Sequence, residues 1–414
     1  MMLVLRKARM SELCEITSSK RIFAADYVSE GVPFYRGKEI TEKYKGSLDV
    51  STELFITEEK FNEIERKFGA PRKGDLLLTS VGTLGSPYVV KPGERFYFKD
   101  GNLTWFRYFR ELDSKFLYYW LVSPQGKAEL QKCTIGSSQS AFTIVLLKGM
   151  EIELPSLSIQ QRIASILSAY DELIENNQRR IRILEEMARS LYREWFVHFR
   201  YPGHDSPRPQ AGEGLGVRAG FVDSPLGQIP QGWEVKKIAE LLAKVSRQGK
   251  IKTQDYLQTG DLPVIDQGRE LVGGYTNDAD VEYSGELPVI VFGDHTRILK
   301  FIDFPFACGA DGTQLLRSND ERMPVSLFYY TLSVIELSDF AYARHFKFLK
   351  EELVVVPIAE VATAFSERVD PIKRQVRILQ QQSDNLRRTR DLLLPRLLSG
   401  GINIQVTNQE QCHV

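Results

Sequence analysis

Apolar residues follow two regimes that alternate along the chain. As far as Pro155 they form short runs broken by Pro and Gly, the spacing expected of strands and turns. Beyond it, Ile163, Leu167, Tyr170, Ile174, Asn177, Ile181, Leu184, Ala188, Leu191 and Trp195 recur at alternating steps of four and three. That heptad seam predicts a long helix paired with another helix. The same change recurs after Pro357, where Val361, Phe365, Val369, Ile372, Val376, Leu379, Leu386 and Leu393 form a second, less regular seam. Two matching stripes of about 40 residues point to pairing with one another, and each helix would be about 60 Å long. Asn177 sits on the seam, where a polar residue either sets register or marks a poorly packed step.

The short runs also repeat. VPFYRGKEI (Val32 to Ile40) is echoed by LPVIDQGRE (Leu262 to Glu270), and DLLLTSVGT (Asp75 to Thr83) by LPVIVFGDHT (Leu287 to Thr296). DGNLTWFR (Asp100 to Arg107) matches GADGTQLLR (Gly309 to Arg317), and KFLYYWL (Lys115 to Leu121) matches SLFYYTL (Ser326 to Leu332). VLLKGMEIELP (Val145 to Pro155) matches KFLKEELVVVP (Lys347 to Pro357). Five matches in one order, about 200 residues apart, describe a duplicated domain and not a solenoid, whose units run to about 20–50 residues. From each Pro to the shared Arg-Ile-Leu triplet (ending at Leu184 and Leu379) the copies span 29 and 22 residues. The difference is one heptad, which preserves the apolar face.

Length agrees with this division, since 414 residues exceed one compact core. The expected segments are a first β-rich domain (1–152), a helix (153–199), a flexible linker (200–222), a second β-rich domain (223–355), a helix (356–402) and a tail (403–414). The linker contains SPRPQAGEGLGVRAG, and its Gly212, Gly214 and Gly216 have neither the preceding strand nor the following helix of a nucleotide loop. The four cysteines and five histidines are dispersed, so neither a metal site nor a disulfide framework is expected. No apolar run is long enough to span a bilayer, and a soluble, cytoplasmic protein without membrane partners is the expectation. Fifty-four basic residues balance 54 acidic ones. Residues 1–150 carry 23 Lys and Arg against 18 Asp and Glu, a slight local lean to the positive.

The helical segments carry a family resemblance. LPSLSIQQRIASILSAYDELIENNQRRIRILEEMARSLYREWF (Leu154 to Phe196) resembles the central conserved region of Type I restriction specificity subunits. VPIAEVATAFSERVDPIKRQVRILQQQSDNLRRTRDLLLPRLLSGGI (Val356 to Ile402) resembles their C-terminal one, and DSPLGQIPQGWEVKKI (Asp223 to Ile238) the opening of their recognition domains. The first half has no such opening. The resemblance implies an α+β protein with two globular α/β target recognition domains, joined by two long antiparallel coiled-coil helices in a pseudo-two-fold arrangement. It further implies a non-catalytic subunit that reads a bipartite, gapped double-stranded DNA target. Two methyltransferase subunits and the restriction subunits would be its partners. S-adenosylmethionine, ATP and Mg would belong to those partners, with no cofactor or metal in this chain. The charged outer faces of the helices (Arg179, Arg180, Arg182, Glu185, Glu186, Arg189; Arg374, Arg377, Arg387, Arg388, Arg390) would be solvated or help dock the methyltransferases.

Base edges are read by Arg, Lys, Asn, Gln, hydroxyl or acidic side chains, and phosphates by cations and hydroxyls. Candidates in the first domain are Arg36, Lys38, Lys43, Lys45, Thr79, Ser80, Ser137, Ser138 and Gln139. In the second they are Arg269, His295, Thr296, Arg297, Gln314, Arg344, His345 and Lys347. The SSQ and RHFK segments hold similar places in the repeat, just ahead of the last strand. Asp294-His295 lacks a positioned nucleophile and reads as a turn, while Trp105, Phe221 and Trp233 read as core. Neither an Asn/Asp-Pro-Pro-aromatic motif nor a nuclease carboxylate cluster is present, which disfavours a self-contained methyltransferase or nuclease. A coiled-coil scaffold without a DNA role would explain the helices but not two divergent β-rich domains.

Overall fold

The computed structural model describes residues 5–47, 50–136, 140–203, 220–245, 249–309, 312–337 and 344–402. Most of the expected linker, the tail after 402, and Ser137, Ser138 and Gln139 lie outside the described residues. The chain divides into two compact units, Met1–Ile181 with Ile378–Val414, and Arg182–Arg377.

In the first unit a four-stranded antiparallel sheet has the order Glu15–Thr17, Leu103–Arg107, Leu76–Thr79, Pro87–Val89. All four side chains of Leu76–Thr79 are buried, as a central strand covered on both faces requires. A second sheet pairs Val32–Tyr35 in parallel with Tyr97–Phe98 and antiparallel with Phe55–Ile56. Arg6–Arg9 pairs antiparallel with Glu151–Leu154, closing the domain at its two ends.

The second unit repeats this wiring. Val289–Gly293 lies between Leu299–Ile302 and Thr313–Leu316. Leu262–Ile265 pairs in parallel with Ala307–Gly309 and antiparallel with Gly274–Thr276. Its closing ladder joins Glu234–Lys237 to Leu353–Val356. Register fixes the correspondence between the copies. Leu77 opposes Trp105 where Val291 opposes Leu315, and Thr79 opposes Leu103 where Gly293 opposes Thr313.

The closing ladders supply the start of the first repeat. Arg6–Leu13 answers Glu234–Leu241, each a strand followed by a four-residue helix. Met10 N–H donates to Met150 O at 2.9 Å, and Ile238 N–H to Glu352 O at 3.0 Å. Met10, Leu13, Ile238 and Leu241 are all buried.

Two apolar runs differ from their reading as short strands. KFLYYWL and SLFYYTL lie in nine-residue helices, Ser114–Val122 and Val325–Ser333. Asp113 caps the first by accepting from Phe116 N–H at 2.9 Å. Apolar periodicity cannot separate a short buried helix from a buried strand. Likewise, a short helix, Ile144–Gly149, stands between the SSQ segment and the last strand of the first unit, and in the second unit the RHFK segment itself opens the helix His345–Glu351 that precedes the last strand.

The two seams are helical throughout, the first over Leu157–Tyr192 with Trp195 in the π-helical turn Arg193–Val197 that follows, the second over Ala359–Leu398. In the first unit Ile163, Leu167, Leu394 and Leu397 share one core cluster with the recognition domain, and Ile174, Asn177 and Leu379 are buried. Ile181, Leu386 and Leu393 are half-buried, and buried Ser383 turns its hydroxyl onto Leu379 O at 2.8 Å. In the second unit Val361, Phe365 and Val376 are buried, while Leu184, Leu191 and Ile372 are half-buried. There Phe365 packs edge-on to Phe196 (centroids 5.0 Å apart) and against Tyr192 and Trp195. Each unit's helical segments thus pair with one another and also carry the core of that unit's domain.

Candidate nucleic-acid interface

In the first unit several strand ends stop at one edge. Ser80 N–H donates to Asn102 O at 2.8 Å, and Lys99 N–H to Tyr35 O at 2.8 Å. Ser18 Oγ donates to Leu103 O at 3.3 Å, and Phe142 N–H to Ser80 O at 3.0 Å. These bonds gather the loops 18–21, 36–38, 80–86, 99–102 and 140–142. A Cβ on Gly37 would stand 3.8 Å from Val81 O, so the turn at Arg36–Lys38 reaches the same edge. Gly85 (φ +78°) lets its N–H return to Thr79 O at 2.9 Å, folding the 80–86 loop tightly over the strand end.

The candidate side chains separate by environment. Lys38 is exposed at this edge with no ion-pair partner among the described residues. Arg36 is held through Nη2 to Glu39 Oε1 at 3.0 Å, while Arg36 N–H donates to Glu39 Oε2 at 2.7 Å. Burial opposes charge on Glu39, yet these donors hold its carboxyl below the ordinary value. Thr79 and Ser80 are buried: Thr79 Oγ1 accepts from Ser86 N–H at 2.9 Å, and the Ser80 and Thr104 hydroxyls lie 2.7 Å apart. They shape the loops from beneath. Lys43 and Lys45 lie at the far end of the helix Gly37–Tyr44. Lys43 is tied to Glu94 at 2.6 Å between the rings of Tyr35 and Tyr88, whereas Lys45 is exposed.

The corresponding edge of the second unit is organised by Asp294. Its N–H donates to Gly312 O at 2.7 Å, its O accepts from His345 N–H at 2.9 Å, and its Oδ1 accepts from Phe346 N–H at 2.8 Å. Thr296 Oγ1 donates to Gln267 O at 2.6 Å, and His295 N–H to Gln267 Oε1 at 3.2 Å. His295, Thr296 and Arg297 are exposed on this turn, where Arg297 adopts φ +62° and donates through Nη1 to Leu337 O at 3.0 Å. Gln314 is half-buried opposite Phe292. Arg269, Arg344 and Lys347 are exposed without an ion pair among the described residues, and His345 is buried.

Orphaned polar atoms mark the same two edges. Buried side-chain donors and acceptors are normally paired, so each exception needs a cause. Among the described residues six lack a partner, and four of them are Ser19 Oγ, Arg36 Nε, Thr313 Oγ1 and His345 Nδ1. Ser19 and Arg36 belong to the first edge, Thr313 and His345 to the second. The other two are the indoles of Trp120 and Trp233.

Sequence reasoning passed over Lys20, Arg21, Lys99, Asn102 and Gln267, which share these edges. Asp100 to Asn102 stood inside the DGNLTWFR repeat, so their place at a strand end was a usable signal. Among the described residues no group of His, Cys, Asp and Glu is placed to hold a metal ion, and no helix is long and apolar enough to cross a membrane.

A duplicated α/β protein with a polar loop edge on each copy is thus defined. A family model described as "Type I restriction modification DNA specificity domain" matches residues 6–186. The Type I restriction enzyme MjaIX specificity subunit of Methanocaldococcus jannaschii is 25% identical over 363 residues, 80% of this chain and 78% of the relative. The MjaVIII specificity subunit of the same organism is 23% identical over 382 residues, 84% of each chain. The crystal structure of a Type-I restriction-modification system S subunit from M. genitalium matches with a TM-score of 0.60 at 18% identity, covering 95% of this chain and 96% of that one, and shares its fold. Residues 6–186 thus carry a Type I restriction modification DNA specificity domain, and the relatives that the longer chain resembles are Type I specificity subunits.

Proposed function

We propose that this chain is the DNA-reading subunit of a Type I restriction-modification complex, each loop edge reading one half of a bipartite, gapped target. The observation that carries this reading is the duplicated loop edge, which in each unit brings exposed polar and cationic side chains (Lys38 in the first; Arg269, His295, Thr296, Arg344 and Lys347 in the second) to the strand ends. Exposed groups of these types are the ones that meet base edges and phosphates.

The edges differ in chemistry, so the half-sites are expected to differ in sequence. Where the first unit has Arg36, Gly37 and Lys38, the second has Asp266, Gln267 and Gly268, and Asp294 stands in the place of Ser80. Lys38, Arg269, His295, Thr296, Arg297, Arg344 and Lys347 are the exposed side chains best placed for direct contact. Ser137, Ser138 and Gln139 remain proposed contacts on the strength of their place in the repeat.

The chain is non-catalytic in this reading. Two methyltransferase subunits dock on it and supply S-adenosylmethionine chemistry, and restriction subunits supply ATP- and Mg-dependent cleavage. The recognition domains are 1–152 and 223–355, and the helices 153–199 and 356–402 set the spacer. Adenine methylation mapped in cells carrying the chain with its methyltransferase, against cells lacking the chain, tests the reading. A gapped, asymmetric motif methylated only in the presence of the chain is expected. No such motif, with the methyltransferase expressed and competent, would overturn it.

A further inference from the structure

We infer that Arg21 is a guanine-reading residue of the first half-site and that Asp100 is the positioning residue that aims it. This rests on the reading that the loop edge of the first unit faces DNA, and it assigns one side chain there to one base.

The loop carrying Arg21 is rigidly tied. Lys20 N–H donates to Tyr97 OH at 2.7 Å, and Tyr97 is fully buried. Ile22, on the other side of Arg21, is buried in the cluster formed with Val32, Phe34 and Ile56. Two residues before Lys20, Ser18 Oγ donates to Leu103 O and accepts from Gly101 N–H, both at 3.3 Å. The Arg21 backbone is therefore held on both sides, at the same strand ends that release the Ser80 turn and Asn102.

The side chain is held by one edge alone. Arg21 Nε donates to Asp100 Oδ2 at 2.8 Å, and neither terminal nitrogen has a partner among the described residues. The Arg21 side chain is 67% exposed while that of Asp100 is 19% exposed, so the anchor is sheltered and the guanidinium projects. A guanidinium fixed through Nε presents its Nη1 and Nη2 donors as a planar fork. That fork matches the adjacent O6 and N7 acceptors of guanine in the major groove, a pair that no other base offers. Fixing the fork beforehand removes rotamer entropy that a free arginine would lose on binding. An ordinary exposed ion pair is worth little to stability. A pair this weak, on a loop this tightly tied, is better explained by aim than by folding.

The test uses the full chain assembled with its methyltransferase subunits, read on duplexes carrying every base at each position of the methylated motif. Arg21→Ala should lower binding and methylation roughly ten- to hundred-fold for the cognate duplex, and should erase the preference at a single G·C pair of one half-site. Arg21→Lys should keep the salt dependence yet lose that same preference, because an ammonium has no fork. Asp100→Asn should weaken preference at the same position and at no other, a readout that a merely structural role would not move. An equal loss on every duplex with a shallower salt slope would assign Arg21 to a phosphate and overturn the inference. Unchanged preference, or a half-site without a G·C pair, would overturn it as well. A wild-type complex without sequence-selective methylation would instead sink the DNA-reading proposal beneath it, so the two failures are distinguishable.

Discussion

Tyr119 donates its hydroxyl to Asp171 Oδ2 at 2.5 Å, joining a domain helix to the first long helix through one carboxylate. The other oxygen of Asp171 takes the guanidinium of Arg390 on the second long helix. Arg390 also donates to Asp391 Oδ1 at 2.8 and 2.9 Å. Burial pushes the Tyr119 hydroxyl far up from its ordinary pKa, with the Asp171 charge adding to it, so it remains a donor throughout the working range. Tyr119→Phe is expected to cost about 1–2 kcal/mol and Asp171→Ala about 2–3 kcal/mol, allowing for the partial exposure of Asp171. The double variant should cost less than the sum, because both remove one network. Denaturant midpoints of the four chains check this, and strict additivity would mean that the two groups do not act together.

The second unit places a cation where the first has that carboxylate. Lys373 Nζ lies 4.0 Å from the ring centre of Tyr329 and 4.9 Å from those of Tyr330 and Phe301. Burial lowers its pKa to about 8, against the opposing charges of Glu185 and Asp303. The folded pKa is below the ordinary 10.5, so between those values the unfolded chain binds the extra proton and stability rises with pH. Below about pH 8 both states are protonated and the cost of burying the ammonium is fully present. Across that window the gain should approach about 3 kcal/mol. Lys373→Met should lack it, and the difference between the two stability–pH curves isolates it from the tyrosines and cysteines. Parallel curves from pH 7 to 10.5 would refute it.

Asp294→Ala should loosen one reading edge while sparing the other. Its carboxylate is the acceptor for Phe346 N–H, whose helix start carries His345 and Lys347. Loss of that bond should cost about 1–3 kcal/mol. Base preference in methylation assays should weaken within one half-site only. Weakening in both halves would show that Asp294 acts on the whole chain and not on its own loops.

Gly126→Ala should be among the most damaging single-methyl changes in the first unit. A Cβ there would stand 1.9 Å from Trp120 O, a backbone atom that cannot swing aside. Gly126 N–H also donates to Ser123 Oγ at 3.1 Å, fixing the first turn of the helix Pro124–Lys132. Overpacking of this kind costs about 1–3 kcal/mol or more. Thermal unfolding of the full chain reads it, and an unchanged midpoint would mean that the two helices separate freely.

Legibility in the sequence followed the range of the interaction involved. Val32–Tyr35 and Leu262–Ile265 could be matched because strand apolarity and a shared Pro are local properties. Both seams were visible because a heptad is written in one stretch of chain, and Phe365 and Leu167 are buried as their positions imply. The Tyr-Tyr runs were recognised as equivalent yet not as helical, since seven apolar residues in a row carry no period. Arg6–Leu13 is hard to match from sequence because its likeness to Glu234–Leu241 rests on register and burial, with only the closing Glu-Leu pair shared.

The reading edges divide the same way. Polarity and position near a turn nominated both Lys38 and Thr79, and composition cannot tell them apart. Only folding buries the Thr79 hydroxyl under the Ser86 amide, and only folding sets Lys43 between two tyrosines beside Glu94, 51 residues away in sequence. Arg21 is one more surface arginine until Asp100, 79 residues on, takes its Nε. Duplication and helix seams were determined by the sequence alone, because each is expressed by near neighbours along the chain. Which side chains are free to meet DNA was decided by the tertiary structure, because pairing between distant residues settles which polar groups are already satisfied.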